Sequence, residues 1–190
     1  HALIGAGLFF FFFKLSGRWF DVARIDSLHV FLTALGCYVL YFYRGAKAAA
    51  LSALIFTAAF FTKQSALLMA LPVMAACFIS HRRDAVYAGA LFAGLTLALC
   101  LIADAHSGGW FNFYVFELPA AHRIDWRNLG SFWTRDALRP FGLATLCALL
   151  ALILMREDGR HKIGWYVALA AGFIGASYVS RLHSFGHVNV

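Results

Sequence analysis

The chain has 190 residues, 62% of them hydrophobic and only 13% charged, with 16 Lys and Arg against 9 Asp and Glu and a formal net charge of +7. Soluble domains use roughly 45–50% apolar and about 25% charged residues, so a water-soluble core of this size could not hide so much apolar surface, and lipid is the expected solvent. Nucleic-acid binding is excluded as the meaning of the positive charge, because the basic residues sit in short loops between apolar runs and form no basic face on a polar domain.

Ala2 to Phe13 reads as the tail of a membrane helix, ended by Lys14, Ser16, Gly17 and Arg18. The chain opens on His1 with no charged leader segment and stops just after a polar cluster, so residues 1–190 are expected to be a single transmembrane domain cut from a longer protein. Arg18-Trp19-Phe20-Asp21-Val22-Ala23-Arg24-Ile25-Asp26-Ser27 follows, a polar island with two carboxylates and two guanidinium groups between apolar runs. Charge at the edge of hydrocarbon is costly unless paired, hydrated or used, which makes this island the first candidate for function.

Ser27 to Tyr43 is a second apolar segment, closed by Arg44-Gly45-Ala46-Lys47. Ala48 to Phe61 and Ala66 to Ser80 are a third and a fourth, separated by Thr62-Lys63-Gln64-Ser65 and both short for full spans. Pro72 predicts a local kink in the fourth. Ala85 to Ala103 is a clean fifth. Asp104 to Arg139 then reads as loop with an interfacial helix, its Trp110–Phe116 aromatics seated at headgroup level. Pro140 to Met155 and Ile163 to Val179 complete about seven spans by the length rule. The expected fold class is all-α, a polytopic integral membrane protein with an interfacial outer loop.

Alternation of sides sorts the connections. Arg44–Lys47, His81–Asp84 and Arg156–Lys162 are short and basic, hence cytoplasmic by the positive-inside rule. The polar island, Thr62–Ser65, the Asp104–Arg139 loop and Ser180–His187 fall on the opposite side and carry nearly all the residues capable of chemistry. Cys37, Cys77, Cys100 and Cys147 lie inside apolar runs without a CxxC pair, as packing residues do.

The order Ala23-Arg24-Ile25-Asp26-Ser27-Leu28, then Ala58-Ala59-Phe60-Phe61-Thr62-Lys63-Gln64-Ser65 followed by Leu71-Pro72, then Tyr114-Val115-Phe116-Glu117 and Ala121-His122-Arg123, resembles the polytopic glycosyltransferases of the C-type fold. The protein O-mannosyltransferases and the lipid A aminoarabinose transferases look most similar. The resemblance implies a transferase that takes a sugar from a polyprenyl-phosphate donor and passes it to a glycan, lipid or protein acceptor at the periplasmic or outer face of a membrane, the bacterial inner membrane being the expected one. It implies a catalytic group of Asp26, Arg24 and Asp21, and substrate contacts from Lys63, Glu117, His122, Arg123, Arg181 and His183. A carboxylate would act as base or orient the nucleophile, and cations would stabilise the departing phosphate. In the family the principal acidic residue follows the first membrane helix, which here would precede His1.

Plain structural accounts stand beside these roles. Asp26 and Ser27 suit the start of a helix, and Asp21 suits an N-cap. Lys63 could snorkel from a turn, and Glu117, His122 and Arg123 could belong to a wet interfacial helix. His29, on an apolar segment, reads as a hydrogen-bonded interior histidine. His183 and His187 are four apart with Gly186 between them and no third ligand evident, so no metal site is assigned, although paired outer carboxylates leave a divalent cation open. Two other functions compete: a transporter or flippase for a lipid-linked substrate, which would place its polar groups nearer the bilayer midplane, and a membrane scaffold without chemistry.

Overall fold

A computed structural model describes residues 25–122, 124–154 and 160–182. In chain order these form α1 (Ile25–Phe42), α2 (Ala46–Thr62), α3 (Ala66–Ser80), α4 (Arg82–Ser107), α5 (Trp110–Asn112), a π-helical turn π1 (Phe113–Glu117), α6 (Leu118–Ala120), α7 (Asn128–Ser131), π2 (Phe132–Leu138), α8 (Arg139–Leu154) and α9 (Arg160–Leu182). The fold is all-helical, with no strand among the described residues.

Helices α1, α2, α3, α4 and α9 pack into one bundle. The buried stripe of α2 is Ala49, Ala53, Phe56 and Phe60, and that of α3 is Ala66, Ala70, Val73 and Cys77. Steps of four, three and four residues keep each stripe on one helical face. Most of these side chains are small, while Leu51, Leu54, Leu67 and Leu71 of the same helices are exposed. Small residues inward let backbones approach closely. A Cβ on Gly172 would lie 3.0 Å from the Cα of Met69, so α9 meets α3 backbone against backbone. A Cβ on Gly36 would lie 3.2 Å from the Phe56 ring, and the Ser52 hydroxyl donates to the Gly36 carbonyl at 3.0 Å.

The bundle has two chemically different ends. At one, the Gly45 N–H donates to Asp84 Oδ2 at 3.0 Å, joining the α1–α2 and α3–α4 connections, and Arg44 Nη1 donates to the Leu40 carbonyl at 2.8 Å. At the other lies the α2–α3 turn with Lys63. Trp165 packs edge-on against Tyr41, ring centroids 5.2 Å apart, and Gly172 lies against Met69. Helix α9 therefore runs antiparallel to α3 and emerges at the Lys63 end.

Two helical stretches, Arg82–Ser107 and Ile163–Leu182, are long and apolar enough to cross a membrane. The expectation of seven spans is thereby reduced to a coarser result. At a rise of 1.5 Å per residue, α1, α2 and α3 reach only about 27, 26 and 22 Å, short of the roughly 30 Å of a hydrocarbon core. Their apolar runs are cut by Gly45, by Lys63–Ser65 and by His81. Helix α8 has 16 residues, and the Ala2–Phe13 segment lies outside the described residues. Helix α3 continues through Pro72 without interruption. Helix α4 runs on past Ala103 to Ser107, because the stop comes from Gly108 and Gly109, whose φ of +61° and +90° are left-handed conformations that glycine adopts without strain.

Candidate functional site

The Lys63 end is built on a three-residue reversal. Helix α2 stops when Lys63 turns extended, while its N–H still donates to the Ala59 carbonyl at 3.0 Å. The N–H groups of Ala66 and Leu67 donate to the Lys63 and Gln64 carbonyls, both at 3.0 Å, which starts α3 at once. His29 of α1 is buried beneath this reversal at 3% exposure. Its Nε2 lies 3.2 Å from Ser65 Oγ, and its Nδ1 lies 3.4 Å from the Ala59 carbonyl and 3.5 Å from Thr62 Oγ1. With Nδ1 protonated toward the carbonyl, Nε2 accepts from the Ser65 hydroxyl. His29 is thus a hydrogen-bonded interior histidine that fixes α1 to the turn.

The aromatic segment folds back over the same turn. After Gly109, the Phe111 N–H donates to Ser107 Oγ at 2.8 Å and the Asn112 N–H to Asp104 Oδ1 at 2.9 Å, so two α4 side chains cap the next helical stretch. Asn112 Nδ2 donates to Glu117 Oε1 at 2.7 Å. Gln64 Nε2 donates to the Val115 carbonyl, and the Phe61 and Phe111 rings lie 6.0 Å apart. Trp110 stacks on Tyr114 at 5.7 Å, both more than half exposed.

Two cavities result. A niche of about 180 Å³ is lined by Thr62, Lys63, Gln64 and Val115, with Phe60, Phe61 and Phe111. An open groove of about 520 Å³ runs along α3 and α4 past Leu71, Met74, Phe92 and Leu97. Asp104 and Asn112 line its polar end, and Phe60 and Phe111 line both cavities.

A third assembly holds the end of α9. The Asp125 N–H donates to the Leu182 carbonyl at 2.8 Å and Asn128 Nδ2 to the Arg181 carbonyl at 3.2 Å, satisfying helix-end carbonyls. Arg181 Nε donates to Asp136 Oδ2 at 2.8 Å in an ion pair whose side chains are 11% and 20% exposed.

Of the residues assigned from sequence, Lys63 lines the niche, Glu117 is tied to Asn112, Arg181 is paired with Asp136 and His122 is exposed just after α6. Asp26 is the second residue of α1, three positions before His29, and its side chain lies outside the description. Asp21, Arg24, Arg123 and His183 lie outside the described residues. Gln64, Asp104, Asn112 and Asp136 were not singled out in the sequence. A carboxylate in the last turn of an apolar helix, shortly before the pair Gly108-Gly109, is the signal that marks Asp104. Among the described residues no three His, Cys, Asp or Glu side chains converge as metal ligands.

No family model matches the chain, and no curated protein or solved structure matches it.

Proposed function

We propose that the protein is an integral membrane glycosyltransferase that uses a polyprenyl-phosphate-linked sugar at the Lys63 end of its bundle. The observation that carries this reading is the niche. One lysine lines an aromatic-walled pocket whose sides the Gln64–Val115 hydrogen bond joins, beside the first turn of the helix bearing Asp26 and next to a long apolar groove. A cation at the edge of hydrocarbon suits the phosphate of a lipid carrier, and flanking aromatics suit a sugar face.

The membrane setting is supported by α4, whose most apolar stretch is only 17% buried, whereas a soluble protein's core helix would be mostly covered. Arg44, Lys47, Arg82 and Arg83 gather at the opposite end, as cytoplasmic loops do, which supports reading the Lys63 end as periplasmic or extracellular.

In the proposed transfer the bond between the sugar's anomeric carbon and the phosphate oxygen breaks, and its electron pair leaves on the phosphate. The acceptor oxygen bonds to that carbon and its proton passes to a carboxylate. Lys63 stabilises the charge developing on the phosphate, and Asp26 is the candidate for receiving the proton or orienting the acceptor. The test is to supply membranes bearing the protein with a polyprenyl-phosphate donor labelled in its sugar. Label moving to an acceptor is the expected result. Label that crosses the bilayer still attached to its carrier would identify a flippase, and donor that is never bound would leave the scaffold.

A further inference from the structure

We propose that the 520 Å³ groove along α3 and α4 is the tail site of a second lipid, one with a hydroxyl head, and that this lipid is the acceptor. The acceptor role rests on the transferase reading above; the lipid site does not.

The groove has the form of a chain site. Its α4 wall extends from Gly89 to Asp104, and fifteen residue steps at 1.5 Å make that about 22 Å, most of one hydrocarbon core. Nearly every lining group is apolar: Leu67, Leu71 and Met74 on α3 face Phe92, Leu97 and Leu101 on α4. A Cβ on Gly89 meets nothing within 4 Å, so the deep end is open space. One extended hydrocarbon chain fits such a slot.

The head is specified by the polar end. The titratable carboxylate there is Asp104, its Oδ1 held by the Asn112 N–H, while the Asn112 amide is committed to Glu117. Among the described residues neither Lys nor Arg lines the groove. A phosphate head would place like charge against Asp104 and Glu117, which is unfavourable. A hydroxyl can donate to the carboxylate, which still has acceptor capacity after one bond. Phe60 and Phe111 are shared with the Lys63 niche, so a hydroxyl held at Asp104 and a phosphate ester held at Lys63 are neighbours across one aromatic wall. Two lipids, one carrying an anionic leaving group and one a nucleophile, would thereby occupy adjoining slots that share Phe60 and Phe111.

The test uses the intact protein in phosphatidylcholine vesicles and a hexadecanol with a photoactivatable diazirine in its chain, compared with the phosphate monoester of the same alcohol. Labelled positions are read by peptide mass spectrometry. The alcohol is expected to label residues 67–74 and 89–104, with the phosphate ester labelling them roughly tenfold less, the scale of one lost charge-compatible hydrogen bond. Ala93 is an exposed lining residue, so Ala93→Trp should fill the slot without disturbing the bundle and abolish that labelling, while labelling of the exposed Tyr166 and Val167 on α9 stays unchanged. Gly89→Phe serves the same purpose from the deep end. Asp104→Lys should reverse the preference toward the phosphate ester. Equal or stronger wild-type labelling by the phosphate ester would overturn the proposal and give the groove to the donor's tail. Labelling insensitive to both filling substitutions would overturn it in favour of ordinary boundary lipid. Sugar transfer that fails while the labelling pattern holds would remove the transferase reading and leave the lipid site standing.

Discussion

The side-chain amide of Gln64 donates to the main-chain carbonyl of Val115, tying the α2–α3 turn to an aromatic segment 51 residues further along the chain. The ordinary helical donor to that carbonyl would be the residue four further on, which is Pro119 and has no N–H. Gln64→Leu, which keeps the bulk and removes the amide, should therefore cost about 1–3 kcal/mol of local stability. Limited proteolysis within residues 109–122 checks this: cleavage is expected to accelerate while the remainder of the bundle resists as before.

Arg181 separates a bracing role from a substrate role. Its guanidinium is engaged by Asp136 at 2.8 Å, and its carbonyl is capped by Asn128. Arg181→Ala leaves the part-buried Asp136 without its partner and should lower stability by about 1–3 kcal/mol, with Arg181→Lys recovering part of it. Thermal unfolding in detergent measures this directly. Donor affinity should change by less than about twofold if bracing is the whole role, whereas a loss of about tenfold or more would return Arg181 to the substrate.

Gly172 offers the sharpest steric test. Any Cβ there would press within 3.0 Å of the Met69 backbone, which has no rotamer to yield. Gly172→Val should push α9 from α3 and cost about 1–3 kcal/mol, as overpacking does, whereas Gly175→Ala, whose Cβ meets nothing within 4 Å, should be near neutral. Comparing the two by denaturant titration in micelles reads the difference.

His29 joins three hydrogen-bonding groups in a buried position, so His29→Phe should strand the Ser65 hydroxyl and cost about 1–3 kcal/mol. His29→Asn, with a donor and an acceptor of its own, should cost less. If both variants retain their fold but lose all sugar transfer, the histidine does chemistry beyond holding the turn.

Much of the bundle was legible because long apolar helices announce themselves by composition. The run from Ser27 to Tyr43 became α1 at Ile25–Phe42, and the polar Thr62–Ser65 became the turn after α2. The end of the fifth segment was less visible. Asp104 reads from sequence as the first residue of a loop, yet a helix tolerates a carboxylate in its last turn and stops here only where glycine permits a left-handed turn. This is also why Asp104 and its partner Asn112 did not stand out. The stretch from Trp110 to Leu138 hid its form for another reason: its π-helical turns at Phe113–Glu117 and Phe132–Leu138 break the 3.6-residue period on which helical pattern reading depends. The pairing of Arg181 with Asp136 spans 45 residues, and neither residue type carries a mark of its partner.

The most direct test of glycosyl transfer at the Lys63 end is a single-turnover measurement with saturating sugar-labelled polyprenyl-phosphate donor, comparing wild type, Asp26→Asn and Lys63→Met in intact membranes. Asp26→Asn removes charge while keeping size, and Lys63→Met removes charge while keeping most of the stem. Both are expected to insert normally and to slow transfer by about a hundredfold or more, the usual range for losing a general base or a charge that stabilises the transition state. Wild-type rates from both correctly inserted variants would contradict the assignment of chemistry to this end of the bundle.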